Sequence, residues 1–540
     1  MMSFSRKPKI WLSTLVEGLN MSKKCPRLAI EGLALDSRDI RPGYVFFALK
    51  GLNKDGAAYV SQAIECGAVA VITEWTDIGD DSVTSIFEGF RSSVPILKVK
   101  NLSEEVSEIA GRFYDHPSHK TKVTAVTGTN GKTTCAHLYS DLWTQFYTRS
   151  KTLQDDNYCG YIGTLGHGIA ALDDKMPLQN RPKLESSSSI LVSPLTTPDA
   201  IDMQTIFANF ASKGCSGVVL EASSHALVQN RIASISLDTA IFTNLSRDHL
   251  DYHGDLESYA DAKRKLFSYP ALKNAVINID DAIGKSILVD LDPSIRPVTY
   301  SLENITADIY CQSMRFSAKG LEADIQTPWG SGRITSSLLG KFNLYNLLAV
   351  IAAFVIHDTR AEYENFVVAL ELVKNLSAVN GRMELVDSLS GPTVIVDYAH
   401  TPDALDQALQ ALRLHSEGAV WVVFGCGGDR DIGKRAEMGH IAADNADYVV
   451  VTSDNPRNES PDKIIQDIVS VTTDSVIIEP NRGNAINFAI SSAANNDVVL
   501  IAGKGHESYQ ILGNQRVTFS DQVEARLALK SRHDKMAVSI

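Results

Sequence analysis

Short apolar runs that end in polar clusters recur along the chain. Residues 123–126 lead into Thr127-Gly128-Thr129-Asn130-Gly131-Lys132-Thr133-Thr134, and residues 218–220 into Glu221-Ala222-Ser223-Ser224-His225. Residues 239–243 lead into Asn244 and then Asp248-His249-Leu250-Asp251-Tyr252-His253, and residues 275–279 end at Asp280. The last third repeats the form: residues 393–396, 420–424, 448–452 and 498–502 are each followed by glycines, charges or both. Apolar runs alternating with helix-length stretches, such as 403–414 and 461–471, predict parallel strands buried on both faces. Nearer the start, residues 44–49 and 69–73 predict strands flanking a helix over 58–67. Residues 305–334 alternate and are broken by glycine, which predicts a short antiparallel piece. The most apolar run, 347–356, is far short of the ~20 residues a bilayer demands and predicts a buried helix.

The pattern predicts an α/β protein of three domains. These are a small N-terminal α/β domain over residues 1–119, a central P-loop-type parallel sheet over 120–378, and a C-terminal Rossmann-like parallel sheet over 379–540. The length of 540 residues agrees with that count at a prior of ~150 residues per domain. A serine-rich stretch, 170–193, predicts a long loop, after which Thr196-Thr197-Pro198-Asp199 caps a helix starting near Ala200.

Composition narrows the function. With 44% hydrophobic and 21% charged residues the chain is ordinary globular protein, and a net charge of −13 gives no field to draw nucleic acid or an anionic membrane. Seven scattered cysteines without a Cys-x-x-Cys pair point away from a disulfide framework or zinc site and toward a reducing compartment. The first residues carry Lys and Arg but no apolar core with a cleavage site, so no signal peptide is expected.

The run from Thr127 to Thr134 joins a strand to a helix start and carries two glycines. Backbone N–H groups there would converge on phosphate oxygens, Lys132 would reach the terminal phosphates, and the Thr133 hydroxyl would bind Mg²⁺. The strict pattern asks for glycine where this chain has Val126. The bland alternative, a Gly-Lys-Thr turn without a ligand, fits the flanking strand and helix less well. Glu221, at a strand end, is a hard oxygen ligand for Mg²⁺, with His249 a second candidate. Lys263 by itself reads as a surface lysine, but beside Arg264 and Lys265 its ammonium form is disfavoured, and a neutral amine can take up CO₂ as a carbamate. Arg430 and Arg457 each follow a C-terminal strand and suit the capture of carboxylates on an acidic small substrate. Asp36-Ser37-Arg38 reads as an ordinary turn.

Taken together, residues 127–134, 221–225, 244–253, 397–405, 425–430, 454–457 and 503–507 resemble the Mur ligases of peptidoglycan synthesis, over nearly the whole chain. Asp454-Asn455-Pro456-Arg457 resembles the branch that adds diaminopimelate. The resemblance implies an ATP-dependent ligase that joins meso-diaminopimelate to UDP-N-acetylmuramoyl-L-Ala-D-Glu, a cytoplasmic monomer needing Mg²⁺ and a carbamylated Lys263. It places ATP at Gly128, Thr129, Asn130, Gly131, Lys132, Thr133 and Thr134, with Asn343, Asn346, Arg382, Asp397 and His400 on the nucleotide side. It places the UDP-muramoyl dipeptide at Leu35, Ser37, Leu52, Asn53, Lys54, Thr196, Thr197, Ser223, Gln229 and Arg231. Diaminopimelate falls to Arg430, Asp454, Asn455, Pro456, Arg457, Gly503 and Glu507. Lys132, Glu221, His249 and Lys263 take the catalytic roles, and Thr133, Glu221, His249 and carbamylated Lys263 the metal. Ala222 stands where the family has Val, the 52–54 turn departs from the common form, and the 170–193 loop is longer than the family needs. The competing readings are a sister ligase that adds glutamate or lysine, and a non-catalytic nucleotide-binding scaffold. The Asp-Asn-Pro-Arg segment speaks against the first, and the intact phosphate loop, Glu221 and Lys263 against the second.

Overall fold

The computed structural model describes residues 10–21, 24–51, 55–75, 94–149, 157–169, 195–317, 319–386, 391–470 and 476–538. The 170–193 loop and the 52–54 turn therefore lie outside the described residues.

Three parallel sheets follow one another along the chain. In the first, Gly32–Ala34, Tyr44–Ala48, Ala70–Glu74 and Ile96–Val99 pair in that order, all parallel. Helix Leu102–Phe113 covers it with Leu102, Val106, Ile109 and Ala110, a spacing that places all four on one helix face. Ala200 and Ile201 join the same cluster, so the first sheet packs against the start of helix Ala200–Ser212. That helix is capped as expected, with Asp199 accepting from the amides of Ile201 and Asp202.

The central sheet has ten strands. From Ile309–Ser317 through Arg296–Ser301, Asn274–Asn278, Thr239–Phe242, Lys122–Thr127 and Cys215–Glu221 to Tyr158–Gly163 every pairing is parallel. Gly320–Thr327 and Gly330–Ser336 add antiparallel strands at one edge, the piece expected over 305–334, and Gly166–Ile169 closes the other edge. Lys122–Thr127 shows why its sequence is apolar throughout. Val126 enters one core cluster and Val123 and Ala125 the other, because successive side chains leave a strand on opposite faces. Helices Lys132–Arg149 and Lys341–Val355 fill the Val126 side, and residues 347–356 are the buried helix that their composition predicts. Lys122–Thr127 lies between Thr239–Phe242 and Cys215–Glu221. The chain leaves it toward one edge of the sheet and later crosses back to the other. In open α/β sheets this reversal opens a crevice at the carboxyl ends of the strands.

The third sheet runs Glu384–Val386, Thr393–Asp397, Val498–Ala502, Val420–Phe424, Tyr448–Val451, Ile477–Ile478, and only the first is antiparallel. All four strands expected in the last third form. Helices Pro402–His415, Gly433–Asn445 and Pro461–Val469 pack on one face, and Arg482–Ser492 and Asp521–Val538 on the other. A hairpin that no apolar pattern announces, Tyr509–Leu512 with Gln515–Thr518, is laid against Arg457. Among the described residues no helix is long and apolar enough to cross a membrane, and all seven cysteines are free thiols.

Candidate active site

The crevice holds the phosphate loop. Gly128 has φ +149 and a Cβ there would lie 1.9 Å from Thr243 Oγ1; Gly131 has φ +86. The loop is tied to the neighbouring strand end: the amide of Thr129 donates to Asn244 O (2.8 Å), that of Asn130 to Asn244 Oδ1 (2.9 Å), and Thr243 Oγ1 to Asn130 O (2.6 Å). Helix Lys132–Arg149 starts immediately, and its first-turn amides, which no intrahelical carbonyl can reach, face the loop. Val126, the departure from the strict pattern, is fully buried in the strand, and the cradle begins after it at Gly128. Asn343 and Asn346 stand behind the loop. They bond each other at 3.0 Å, and Asn346 Oδ1 lies 2.6 Å from where a Gly131 Cβ would be.

Two lysines converge on one carbonyl. Lys132 Nζ donates to Gly128 O and Thr129 O, both at 2.8 Å, and Lys263 Nζ donates to Gly128 O at 2.8 Å. Lys263 is only 1% exposed. Burial, and then the charge of Lys132, hold its pKa well below the usual lysine value, against an opposing pull from Asp248. The neighbours named from sequence are not the cause: Arg264 turns away to Glu257 (2.5 Å) and Asp261 (2.6 Å), and Lys265 is exposed. On helix Leu256–Arg264 successive side chains leave in different directions, so adjacency in sequence is not adjacency in space.

Glu221, fully buried, accepts at Oε2 from Thr133 Oγ1 (2.9 Å) and Thr164 Oγ1 (3.1 Å), and at Oε1 from Tyr161 OH (2.7 Å) and the Thr164 amide (2.9 Å). Tyr161 and Thr164 are missing from the sequence-based set. The residues assigned to the muramoyl dipeptide join this network. Thr196 Oγ1 lies 3.3 Å from Thr164 Oγ1, and Thr197 Oγ1 donates to Glu221 O (2.7 Å) and lies 3.0 Å from Ser223 Oγ. Arg231 donates to Thr197 O (2.8 Å) and Gln229 Oε1 (3.0 Å). His249, at φ +53, packs edge-on to His225 and Tyr259. Burial lowers its pKa despite Asp248, and Lys132 and Lys263 lower it further, which favours the neutral ring that binds metals. Ser37 is buried and donates to Gln62 Oε1 (2.8 Å), with half-buried Leu35 just before it, at the carboxyl end of the first sheet.

Mg²⁺ and ATP fit the residues present. Thr133 and Glu221 offer hard oxygens 2.9 Å apart. Among the described residues no group of three His, Cys, Asp or Glu that could hold a metal ion is present.

Across the crevice, the third sheet presents its own strand ends. Asp397 accepts from the amides of Met383 (2.7 Å) and Ala399 (2.8 Å), and Arg382 stacks over the Tyr398 ring at 4.4 Å. His400 is exposed, with Nδ1 2.8 Å from Tyr398 O. The charge of Arg382 acts on Lys132 and Tyr161, and that of Glu221 on His506. Asp403 bonds across: Asn130 Nδ2 (2.8 Å) and Ser246 Oγ (3.0 Å) both donate to its Oδ2. Asp403→Ala is expected to raise the KM for ATP about fivefold, the loss of roughly 1 kcal/mol of hydrogen bonding, with the melting temperature little changed; steady-state kinetics reads it.

Most of the residues that the resemblance assigns to diaminopimelate lie against one another. Gly428 N donates to Asn455 O (2.9 Å), and a Gly428 Cβ would lie 1.9 Å from Pro456 O. Arg457 Nη1 donates to Gly428 O (2.7 Å), and Arg430 and Arg457 both lie against Gly427. A Gly503 Cβ would lie 2.7 Å from Asp454 Oδ2, and Glu507 accepts from Asn455 Nδ2 at 2.9 Å.

A strand-end phosphate loop facing a second parallel sheet with paired arginines is matched by three family domains. They are the Mur ligase family catalytic domain over residues 29–114, the Mur ligase middle domain over 126–354, and the Mur ligase glutamate ligase domain over 381–505. The chain belongs to the Mur ligase family. It is 41% identical, over 96% of its length and 99% of the relative's, to UDP-N-acetylmuramoyl-L-alanyl-D-glutamate--2,6-diaminopimelate ligase of Coxiella burnetii. It is 42% identical over 93% of its length, and 95% of the relative's, to the protein of the same name from Pseudomonas aeruginosa. A solved structure of a ligase of that name superimposes with a TM-score of 0.66 at 33% identity, covering 97% of this chain and 99% of that one. The ADP complex of Mycobacterium tuberculosis folylpolyglutamate synthase shares the fold at 18% identity, with a TM-score of 0.56 over 74% of this chain and 92% of that one.

Proposed function

We propose that this ATP-dependent amide ligase joins an amine of meso-diaminopimelate to the D-Glu carboxylate of UDP-N-acetylmuramoyl-L-Ala-D-Glu, a step of peptidoglycan precursor synthesis. A carboxylate oxygen attacks the γ-phosphorus of ATP, ADP leaves, and an acyl phosphate forms. The amine then attacks the acyl carbon, loses a proton, and phosphate departs. Gly128 to Thr134 would hold the triphosphate, and Lys132 would stabilise the charge that builds on the transferring oxygens. Thr196, Thr197, Ser223, Gln229 and Arg231 would orient the carboxylate, while Leu35, Ser37 and the 52–54 turn would take the uridine end. Asn343, Asn346, Arg382, Asp397 and His400 would complete the nucleotide side. Thr133, Glu221, His249 and Lys263 as a carbamate would hold Mg²⁺, which neutralises phosphate charge. Arg430, Asp454, Asn455, Pro456, Arg457, Gly503 and Glu507 would receive diaminopimelate. Domain boundaries at 119/120 and 378/379, a monomeric state and a cytoplasmic setting belong to the same reading.

The observation that carries it is the meeting of the two clusters: Asp403 of the third sheet's domain accepts from Asn130 of the phosphate loop at 2.8 Å and from Ser246 at 3.0 Å. Binding energy then aligns carboxylate, phosphate and amine in one crevice. Phosphate release should require both the UDP-muramoyl dipeptide and meso-diaminopimelate, with L-lysine a poor replacement. Release with neither, or faster release with lysine, overturns the assignment. A scaffold would release none.

A further inference from the structure

Beneath the amino-acid pocket lies a lysine that the proposed mechanism does not use. Lys504 is fully buried. Its Nζ donates to Glu507 Oε2 at 2.8 Å and to Asn455 Oδ1 at 3.1 Å, and sits 5.6 Å from the centre of the Tyr509 ring. Asn455 closes the triangle through Nδ2 to the same Glu507 oxygen at 2.9 Å, and its Oδ1 also accepts from the amide of Ile511 at 2.9 Å. A buried ammonium is tolerated only when paired and hydrogen-bonded, and this one has both kinds of partner.

Both partners are residues the proposed reading assigns to diaminopimelate. Lys504 and Asn455 both hold Glu507 Oε2, while Oε1 has no partner among the described residues and the side chain is 17% exposed. One carboxylate oxygen is thus fixed in the protein, and the other is left without a protein partner on a side chain that solvent reaches. An ionised carboxylate accepts through both oxygens, so the fixed half sets where the free half points. An ammonium is the group such an oxygen would take, and the amino acid carries one beside its carboxylates.

We propose that Lys504 is a positioning residue for the amino-acid subsite: its buried ammonium fixes Glu507 and Asn455 so that the free oxygen of Glu507 receives an ammonium group of the amino-acid substrate. This rests on the reading that the crevice binds an amino acid, and it adds a residue and a direction to it.

The test is steady-state phosphate release on the full chain with ATP, the UDP-muramoyl dipeptide and meso-diaminopimelate, for Lys504→Met, Glu507→Gln and the double variant. Lys504→Met should raise the KM for diaminopimelate about tenfold and leave the KM for ATP and kcat within about twofold, since one charge-assisted contact to substrate is misdirected. In the Glu507→Gln background the same change should add less than about twofold, because the two residues act as a unit. An unchanged KM for diaminopimelate overturns the proposal, as do equal losses for ATP or losses that multiply in the double variant. If Lys504→Met fails to melt cooperatively, Lys504→Gln, which keeps a donor without the charge, is read against the same criteria. Should the wild-type enzyme prefer L-lysine, the reading of the substrate fails, and the coupling of Lys504 to Glu507 is measured with lysine instead.

Discussion

Lys263→Ala is expected to lower kcat by about 10³-fold, and added short carboxylic acids should restore part of it. The reasoning starts from burial. The amine is 1% exposed, touches Gly128 O at 2.8 Å and shares that carbonyl with Lys132. Loss of solvent and a neighbouring ammonium both disfavour its charged form. A neutral amine is the form that captures CO₂, and the resulting carbamate places an anion beside the phosphate loop on a long side chain. Truncation to alanine removes that anion and opens a cavity into which a small carboxylate can enter. Restoration by acid separates a missing anion from a damaged fold, because a misfolded site gains nothing from acetate. Wild-type activity in Lys263→Ala would remove the carbamate assignment. Intact-mass spectrometry of the native protein, which should show one added CO₂ that is lost in the variant, provides a second reading.

The parallel sheets were legible because their strands are buried on both faces, which leaves an unbroken apolar run with polar residues at its end. Lys122–Thr127 and Val420–Phe424 are such strands, and Lys132 and Arg430 could be picked out in the polar clusters following them. Tyr158–Gly163 was not legible, for an opposite reason. Its glycines break any hydrophobic period, yet each is there for space: a Gly160 Cβ would lie 2.4 Å from the Phe210 ring and a Gly163 Cβ 2.1 Å from Glu221 Oε1. The strand that brings Tyr161 and Thr164 to Glu221 therefore carries no pattern to find. The terminal hairpin is hidden by exposure, since all four residues of Gln515–Thr518 face solvent and show no alternation. The cause given for the Lys263 shift failed because its actual causes, burial and then the charge of Lys132, come from residues distant in sequence. Local propensity sees neither glycine-made space nor a long-range charge, and those are what complete this site.

That hairpin bears on the second large effect. Arg457→Ala is expected to reduce kcat/KM for meso-diaminopimelate by 30- to 150-fold, about 2–3 kcal/mol for hydrogen bonds to a charged group, while the KM for ATP stays within about twofold. The backbone of Arg457 holds a left-handed φ of +51, which a branched-free but bulky side chain adopts only when its surroundings impose it. Here the hairpin imposes it: the Arg457 amide donates to Ile511 O at 3.1 Å and Gly513 N donates to Arg457 O at 2.8 Å. The guanidinium is steadied on one side by Gly428 O at 2.7 Å, which leaves the rest of its planar fork for a carboxylate. L-lysine has no second carboxylate to offer, so it would leave that fork without a partner in a half-buried pocket, the kind of penalty that separates close analogues. Arg457→Ala should therefore narrow the preference for diaminopimelate over lysine as it weakens diaminopimelate. Equal losses for both amino acids, or a matching loss for ATP, would show that Arg457 supports the fold of the pocket and reads no carboxylate.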